Sequence, residues 1–218
     1  LRADTLSAVQ GTQATATGAS STVAGLVSAM RPRQWVKNLL VVAVPLASGR
    51  LMEPEVIART LLALAVMCAA SAAVYLTNDV LDREADRKHP VKRTRAVAAG
   101  VVPVPLACVT AAVLATGAVL LPAAVGSPGL SLLVLAYLGL QVVYVFWAKH
   151  QPVLDLACVA AGFVLRAVAG GVASSIPIST WFLTVTAATA MFVVAGKRYS
   201  ELVTHGHEVG TRQGLREY

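Results

Sequence analysis

Two adjoining stretches decide the fold: VIARTLLALAVMCAASAAVYLT at residues 56–77 and NDVLDREADRKHPVKRTR at residues 78–95. The first stretch carries a single charge, Arg59, and is long enough to cross a bilayer as an α-helix. The second stretch gathers acids and bases at the mouth of that helix, where charged side chains are costly unless they have a function. Together they predict a transmembrane helix that ends in a polar site.

The rest of the chain has the composition of a membrane protein. Hydrophobic residues make up 56% of the sequence and charged residues 13%, which is about half the charged share of a soluble domain. No charged residue lies between Arg95 and Lys149, and Arg166 is the only one between Asp155 and Lys197. The sequence therefore predicts an all-α, polytopic transmembrane helical bundle. A β-barrel would instead show alternating strands of about ten residues.

Breaks in the apolar runs divide the chain into six predicted spans. These spans cover about residues 35–48, 56–77, 101–121, 130–147, 152–172 and 178–196. Residues 1–22 are rich in Ala, Thr, Ser and Gly and are predicted to form a disordered cytoplasmic tail. Residues 23–218 are predicted to form one transmembrane helical domain.

The basic residues predict an orientation. Fourteen of the 18 Lys and Arg residues lie before span 1, between spans 2 and 3, between spans 4 and 5, or after span 6. The opposite side holds only Arg50 and Arg59. By the positive-inside rule, we expect a multi-pass cell-membrane protein whose N-terminus and polar site are cytoplasmic. The net charge of +7 therefore does not indicate nucleic acid, because the basic residues lie at one membrane face beside acids.

The stretch after the second span presents an oxygen-rich face. At about 100° per residue, four side chains fall within one quarter-turn of a helix: Asn78, Asp79, Asp82 and Asp86. Carboxylate and amide oxygens are the hard ligands that suit Mg²⁺ carrying a phosphorylated substrate. We predict that Asp79, Asp82 and Asp86 are metal ligands and catalytic residues. The alternative is a solvated loop with a charged face.

Further polar groups lie on the same predicted membrane side. Gln34, Lys37 and Asn38 share a predicted helical face before span 1, where membrane anchoring is the alternative. For the basic run that contains Lys88 and Lys92, attraction to anionic lipid and binding of phosphate both stay open.

The last two spans add cations and one acid. Asp155 and Arg166 are almost three helical turns apart, and the arginine suits bidentate binding of phosphate or a structural ion pair. Lys197 and Arg198 precede Glu201 by four and three residues. An in-helix salt bridge to Glu201 is therefore the alternative to binding of a substrate by these two residues. The predicted substrate-binding residues are Gln34, Lys37, Asn78, Lys88, Lys92, Arg95, Asp155, Arg166, Lys197, Arg198, Tyr199 and Glu201.

The motif Asn78-Asp79-x-x-Asp82-x-x-x-Asp86 resembles the first aspartate-rich motif of the UbiA superfamily of intramembrane prenyltransferases. The resemblance covers about residues 30–201. It implies a nine-helix fold, so three helices are expected outside this sequence. It also implies two aspartate-rich motifs whose Mg²⁺ ions hold an isoprenyl diphosphate. The chain departs at the second motif, where Lys197-Arg-Tyr-Ser-Glu201 stands in place of Asp-x-x-x-Asp.

Three segments resemble one branch of this superfamily: RPRQWVKN (31–38), the stretch at 78–95, and GKRYSE (196–201). The resemblance implies transfer of 5-phosphoribose from phosphoribosyl pyrophosphate (PRPP) to a polyprenyl phosphate such as decaprenyl phosphate. Diphosphate is released, and the product supplies arabinan precursors for the cell wall. Mg²⁺ is the implied cofactor, and a homo-oligomer is possible. The alternatives are an aromatic prenyltransferase that uses an isoprenyl diphosphate, and a membrane transporter or ion-binding carrier.

Overall fold

The computed structural model describes residues 21–148 and 151–205, and every regular element within these ranges is helical. Five helices are long and apolar enough to cross a membrane: α3 (Pro54–Leu81), α5 (Val104–Ala124), α6 (Pro128–Phe146), α7 (Pro152–Ala173) and α8 (Thr180–His205). The predicted all-α, multi-pass membrane fold is confirmed.

Shorter helical elements precede and connect these five. Residues 21–29 are helical and are called α1, so the last two residues of the predicted tail are helical, and its first twenty residues lie outside the described ranges. The others are a 3₁₀-helix (Pro32–Val42), α2 (Ala43–Ala47), α4 (Arg83–Lys88) and a second 3₁₀-helix (Lys92–Thr94).

The first predicted span, residues 35–48, is wrong as a transmembrane α-helix. The chain there is a 3₁₀-helix followed by five residues of α-helix. The β-branched Val41 and Val42 end the 3₁₀-helix, and Pro45 lies in the first turn of α2, where its missing N–H costs no intrahelical hydrogen bond.

The acidic stretch is also not one continuous helix. Helix α3 ends at Leu81, and Asp82 lies in a turn with φ −87° and ψ 2° before α4 begins. Helix α4 stops at Lys88, and His89 is extended, with φ −87° and ψ 131°. This stop agrees with the sequence, because Pro90 disfavours the α conformation in the residue before it.

The chain divides into two compact units. The first contains residues up to Gln34 together with Ser71–Leu114. Its core joins α1, the end of α3 and the start of α5 through six buried apolar residues: Ala29, Leu76, Val97, Val102, Ala107 and Ala111. This core holds the end of α3, and hence the start of the acidic stretch, in a fixed place.

The second unit contains Trp35–Ala70 and the chain from Ala115 onward. Within it, α7 packs against α2, α6 and α8. A β-carbon at Gly170 would lie only 1.7 Å from the carbonyl oxygen of Val41, so a glycine is required where α7 meets the first 3₁₀-helix. On α8, Trp181 and Phe192 are 80% and 79% exposed, as expected of side chains that face lipid.

Candidate functional site

The first unit contains a buried cluster of acids and arginines, which we call the aspartate cluster. Its members are Asp79 at the end of α3, Asp86 on α4, and the side chains of Arg31 and Arg95. Asp79 and Asp86 are only 2% and 3% exposed. Two carboxylates are rarely buried to this extent unless cations or hydrogen bonds compensate them.

The two arginines provide that compensation. Arg31 Nη2 lies 2.5 Å from Asp79 Oδ1, and Arg95 Nη1 lies 2.6 Å from Asp86 Oδ2. The same Nη1 atom of Arg95 is 3.6 Å from Asp79 Oδ1. Both carboxylates therefore converge on one cationic nitrogen.

Arg31 was not among the predicted substrate-binding residues, because membrane anchoring explains basic residues before span 1 equally well. Its backbone has φ +53°, which is uncommon for a residue other than glycine. Its guanidinium carbon lies 5.0 Å from the centre of the Tyr75 ring. Pro32 was a usable signal, because a proline disfavours the right-handed α conformation in the preceding residue.

The predicted metal ligands are brought together only in part. Asp79 and Asp86 share Arg95, whereas Asp82 is half-buried in the turn between α3 and α4. Across the described ranges, no group of three or more His, Cys, Asp and Glu side chains is arranged to hold a metal ion. The donor chemistry nevertheless fits a divalent cation, because hard carboxylate oxygens already converge on a positive charge. The remaining ligands would have to come from a bound phosphate or from water.

The other predicted substrate-binding residues of the first unit are near the members of this cluster in the sequence. Asn78 and Lys92 are half-buried, and Lys88 and Gln34 are exposed. Their substrate-binding roles stay predictions.

In the second unit, Asp155 and Arg198 form a buried bidentate pair. Arg198 Nε donates to Asp155 Oδ2 at 2.7 Å, and its Nη2 donates to Oδ1 at 3.1 Å. The Tyr144 hydroxyl donates to Asp155 Oδ1 at 2.9 Å. This pair joins the first turn of α7 to α8. The side chain of Glu201, the predicted in-helix partner, lies outside the described residues, and Lys197 and Tyr199 are exposed.

Arg166, on α7, has a different environment, although it is only 7% exposed. Its Nε donates to Asn38 Oδ1 at 2.8 Å, its Nη1 to the carbonyl oxygen of Gly162 at 2.7 Å, and its Nη2 to the Tyr137 hydroxyl at 2.8 Å. Its guanidinium carbon also lies 4.9 Å from the centre of the Tyr137 ring. In the described part of the chain these partners are all neutral and Asp155 pairs with Arg198 instead, so no structural ion pair of Arg166 is present there.

Lys37 directly precedes Asn38, whose Oδ1 accepts a hydrogen bond from Arg166. Burial, followed by the positive charges of Lys197 and Arg166, lowers the pKa of Lys37 from its ordinary value. Asn38 is 1% exposed, and its Nδ2 lies 3.3 Å from Cys68 Sγ. The predicted common face of Gln34, Lys37 and Asn38 is wrong for Asn38, because residues four apart, such as Gln34 and Asn38, are about 120° apart in a 3₁₀-helix.

The sequence is similar to three curated proteins called decaprenyl-phosphate phosphoribosyltransferase. The protein from Mycobacterium tuberculosis is 50% identical over 184 residues, which cover 83% of this chain and 61% of that protein. The protein from Mycolicibacterium smegmatis is 46% identical over 194 residues, covering 87% and 61% respectively. The protein from Corynebacterium glutamicum is 45% identical over 184 residues, covering 83% and 55%.

The chain thus spans about three fifths of the length of the curated relatives it matches. Residues 38–202 match the UbiA prenyltransferase family. This match begins at Asn38 in the first 3₁₀-helix and extends almost to the end of α8, so it includes Asp79, Asp86 and Arg166. The chain belongs to the UbiA prenyltransferase family.

Proposed function

We propose that the protein transfers 5-phosphoribose from PRPP to a polyprenyl phosphate and releases diphosphate. The names of the relatives support this proposal, because three proteins 45–50% identical to the chain are called decaprenyl-phosphate phosphoribosyltransferase. The observation that carries it is the aspartate cluster, in which two buried carboxylates converge on a positive charge. A cluster of this kind is suited to a metal-bound diphosphate.

In this proposal, Asp79, Asp82 and Asp86 hold Mg²⁺ together with the diphosphate of PRPP. Prenyltransferases of this family are generally metal-dependent. A bound divalent cation neutralises the charge that develops on a leaving diphosphate. Arg31 and Arg95 compensate the carboxylates in the structure, and we propose that they bind phosphate oxygens when the diphosphate is present. An arginine is well suited to that exchange, because its planar guanidinium binds carboxylate and phosphate in similar ways.

The reaction needs no general base from the protein. The acceptor is a phosphate that is already an anion, so no proton has to be removed before it attacks the ribose. The chain's task is to bind and orient two anionic substrates and to exclude water from the reacting carbon. Lys88 and Lys92, which lie close to Asp86 and Arg95 in the sequence, and Lys197 on α8 are the lysines that we propose add positive charge for the two substrates.

We further propose that the aspartate cluster faces the cytoplasm in the cell membrane. The distribution of Lys and Arg supports this orientation. An amine reagent that does not cross membranes should label Lys92 only from the cytoplasmic side of sealed vesicles. Labelling of Lys92 from the outside would contradict the proposal, because PRPP is a cytosolic anion that does not cross the membrane and would then not reach the site.

The reaction itself is tested by incubating the full-length protein with ribose-labelled PRPP and polyprenyl phosphate, with and without Mg²⁺. We expect the label to move into the lipid fraction only when both Mg²⁺ and polyprenyl phosphate are present. Polyprenol without a phosphate is the matched control and should accept no label. The proposal would be overturned if PRPP were not consumed while an isoprenyl diphosphate and an aromatic acceptor were.

A further inference from the structure

We propose that Arg166 and Lys37 bind the phosphate group of the lipid substrate, with Asn38 and Tyr137 fixing the arginine. This inference rests on the proposed function, since it assigns one of the two proposed substrates to a site inside the second unit. The chemical class of the ligand is a phosphate monoester that carries an apolar tail.

The first observation is the charge of Arg166 itself. It is 7% exposed and lies on a membrane-spanning helix, where an ionised side chain is expensive. Its partners among the described residues are an amide oxygen, a phenol and a backbone carbonyl. These groups satisfy hydrogen bonds but contribute no negative charge. An anionic ligand would supply the missing counter-charge.

The second observation concerns the hydrogen-bond donors of Arg166. A guanidinium has five N–H donors, and the structure uses one from each of its three nitrogens. Counting only contacts with described residues, one N–H therefore remains on each of the two terminal nitrogens. Paired donors of this kind suit bidentate binding of phosphate oxygens.

The third observation is a second cation nearby. Lys37 is half-buried on the first 3₁₀-helix, one residue before Asn38, whose Oδ1 accepts from Arg166 Nε at 2.8 Å. The positive charges of Arg166 and Lys197 both contribute to the lowered pKa of Lys37, so these cations are close enough to repel one another. Like charges brought together in a partly buried place favour an anion that binds between them.

The position along α7 favours the lipid over PRPP as the source of the phosphate. Arg166 lies eleven residues beyond Asp155, which corresponds to about 16 Å along a helix. Asp155 itself is in the first turn of α7, so Arg166 lies deep within the apolar part of that helix. The substrate with an apolar tail is the one that enters such a region at low cost.

The experiment uses the full-length protein carrying Arg166→Gln, and measures the KM for each substrate separately. The KM for polyprenyl phosphate should rise about tenfold or more, as expected for loss of a charge-assisted contact. The KM for PRPP should change less than about twofold. Arg59→Gln is the matched control, because Arg59 lies in the same unit and pairs with Glu55; it should change neither constant.

A binding measurement keeps this inference separate from the proposed function. Farnesyl phosphate should bind the wild type more tightly than farnesol, and Arg166→Gln should abolish the difference even if no PRPP is consumed. If Arg166→Gln does not fold, Lys37→Gln is used instead, because Lys37 lies outside the five long helices. The Lys37→Gln variant should also have a raised KM for polyprenyl phosphate. An increase confined to the KM for PRPP would assign the site to the donor and overturn the inference. Unchanged constants for both substrates, or equal binding of farnesyl phosphate by wild type and variant, would equally overturn it.

Discussion

The aspartate cluster of the first unit and the Arg166 site of the second bury arginine in opposite ways. Arg31 and Arg95 face two carboxylates, so their charges are balanced inside the protein. Arg166 faces only neutral oxygen atoms among the described residues. The first arrangement is complete without a ligand and has to exchange partners to bind one. The second arrangement has no carboxylate among the described residues to release before an anion binds.

Arg198, in the second unit, shows which of these differences matters. Arg198 is as buried as Arg166, at 8% against 7% exposure, but it forms a bidentate pair with Asp155. Burial of an arginine therefore says little about its role. The charge of the groups around it distinguishes a structural arginine from one that is suited to a ligand.

The largest effect is expected in the aspartate cluster. Asp86→Asn removes a charge that Arg95 compensates and keeps the shape of the side chain. We expect kcat/KM for PRPP to fall at least about a thousandfold, because a lost ligand of a metal–diphosphate complex costs several kcal/mol in the transition state. Initial rates over a range of Mg²⁺ concentrations measure this.

The control for that variant is Glu84→Gln on the same helix. Glu84 forms an exposed pair with Arg87 at 3.2 Å, and such pairs contribute about 0.3–0.5 kcal/mol, so activity should be near normal. Near-normal turnover of Asp86→Asn at low Mg²⁺ would remove Asp86 from the metal site. The aspartate cluster would then be a structural ion-pair network, and it could not be contrasted with the Arg166 site as a second substrate site.

The next effect concerns stability. Arg198→Met leaves the carboxylate of Asp155 buried without its bidentate partner, which should cost about 3–5 kcal/mol of unfolding free energy. Denaturant unfolding in detergent micelles measures the loss. The double variant Asp155→Leu/Arg198→Met should recover most of it, since no buried charge remains. Failure of the double variant to recover would mean that packing, and not charge, accounts for the loss.

Arg166→Met should be less destabilising than Arg198→Met. The change leaves no buried charge behind, and each hydrogen bond lost from Asn38, Gly162 or Tyr137 is worth only about 1 kcal/mol. Removal of an uncompensated charge offsets part of that loss. We therefore expect a net cost below about 2 kcal/mol in the same unfolding measurement. A cost equal to that of Arg198→Met would show that Arg166 has a negative partner after all.

The smallest effect should be a gain. Because the pKa of Lys37 is lowered in the folded protein, the unfolded chain binds this proton more tightly. Stability therefore rises with pH from the folded-state pKa up to the ordinary value. At neutral pH, Lys37→Gln should raise Tm by less than about 2 °C, and it should flatten the rise of stability in that pH window. A fall in Tm at neutral pH would show that Lys37 has a compensating partner.

Sequence patterns predicted the features that depend on a single helix and failed where two elements meet. The apolar runs located α3, α5, α6, α7 and α8 within a few residues, except at the ends of α3 and α8, which extend into polar sequence. They succeeded because burial in lipid requires continuous apolar sequence. Asp79 and Asp86 also lie together around Arg95, although they are on α3 and α4 and not on the one continuous helix from which their shared arc was predicted.

The partners across the bundle could not be predicted in this way. Arg198 and Asp155 are 43 residues apart, and Arg166 and Asn38 are 128 apart. Helical periodicity relates residues along one helix, whereas these pairs depend on which helices pack together and at what rotation. The pairing of Arg31 with Asp79 has the same origin, because these residues are 48 apart in the sequence and lie on different elements.

The close approach at Gly170 sets the register between two segments that carry different parts of the Arg166 site. Gly170 lies about one α-helical turn beyond Arg166, and Val41 lies one 3₁₀ turn beyond Asn38. Because the backbones meet at Gly170 and Val41, the preceding turn of each segment places Asn38 opposite Arg166. Any side chain larger than a hydrogen atom at residue 170 would push the two segments apart and withdraw the amide from the guanidinium. The geometry of a charged site is thus set by a residue that has no polar side chain.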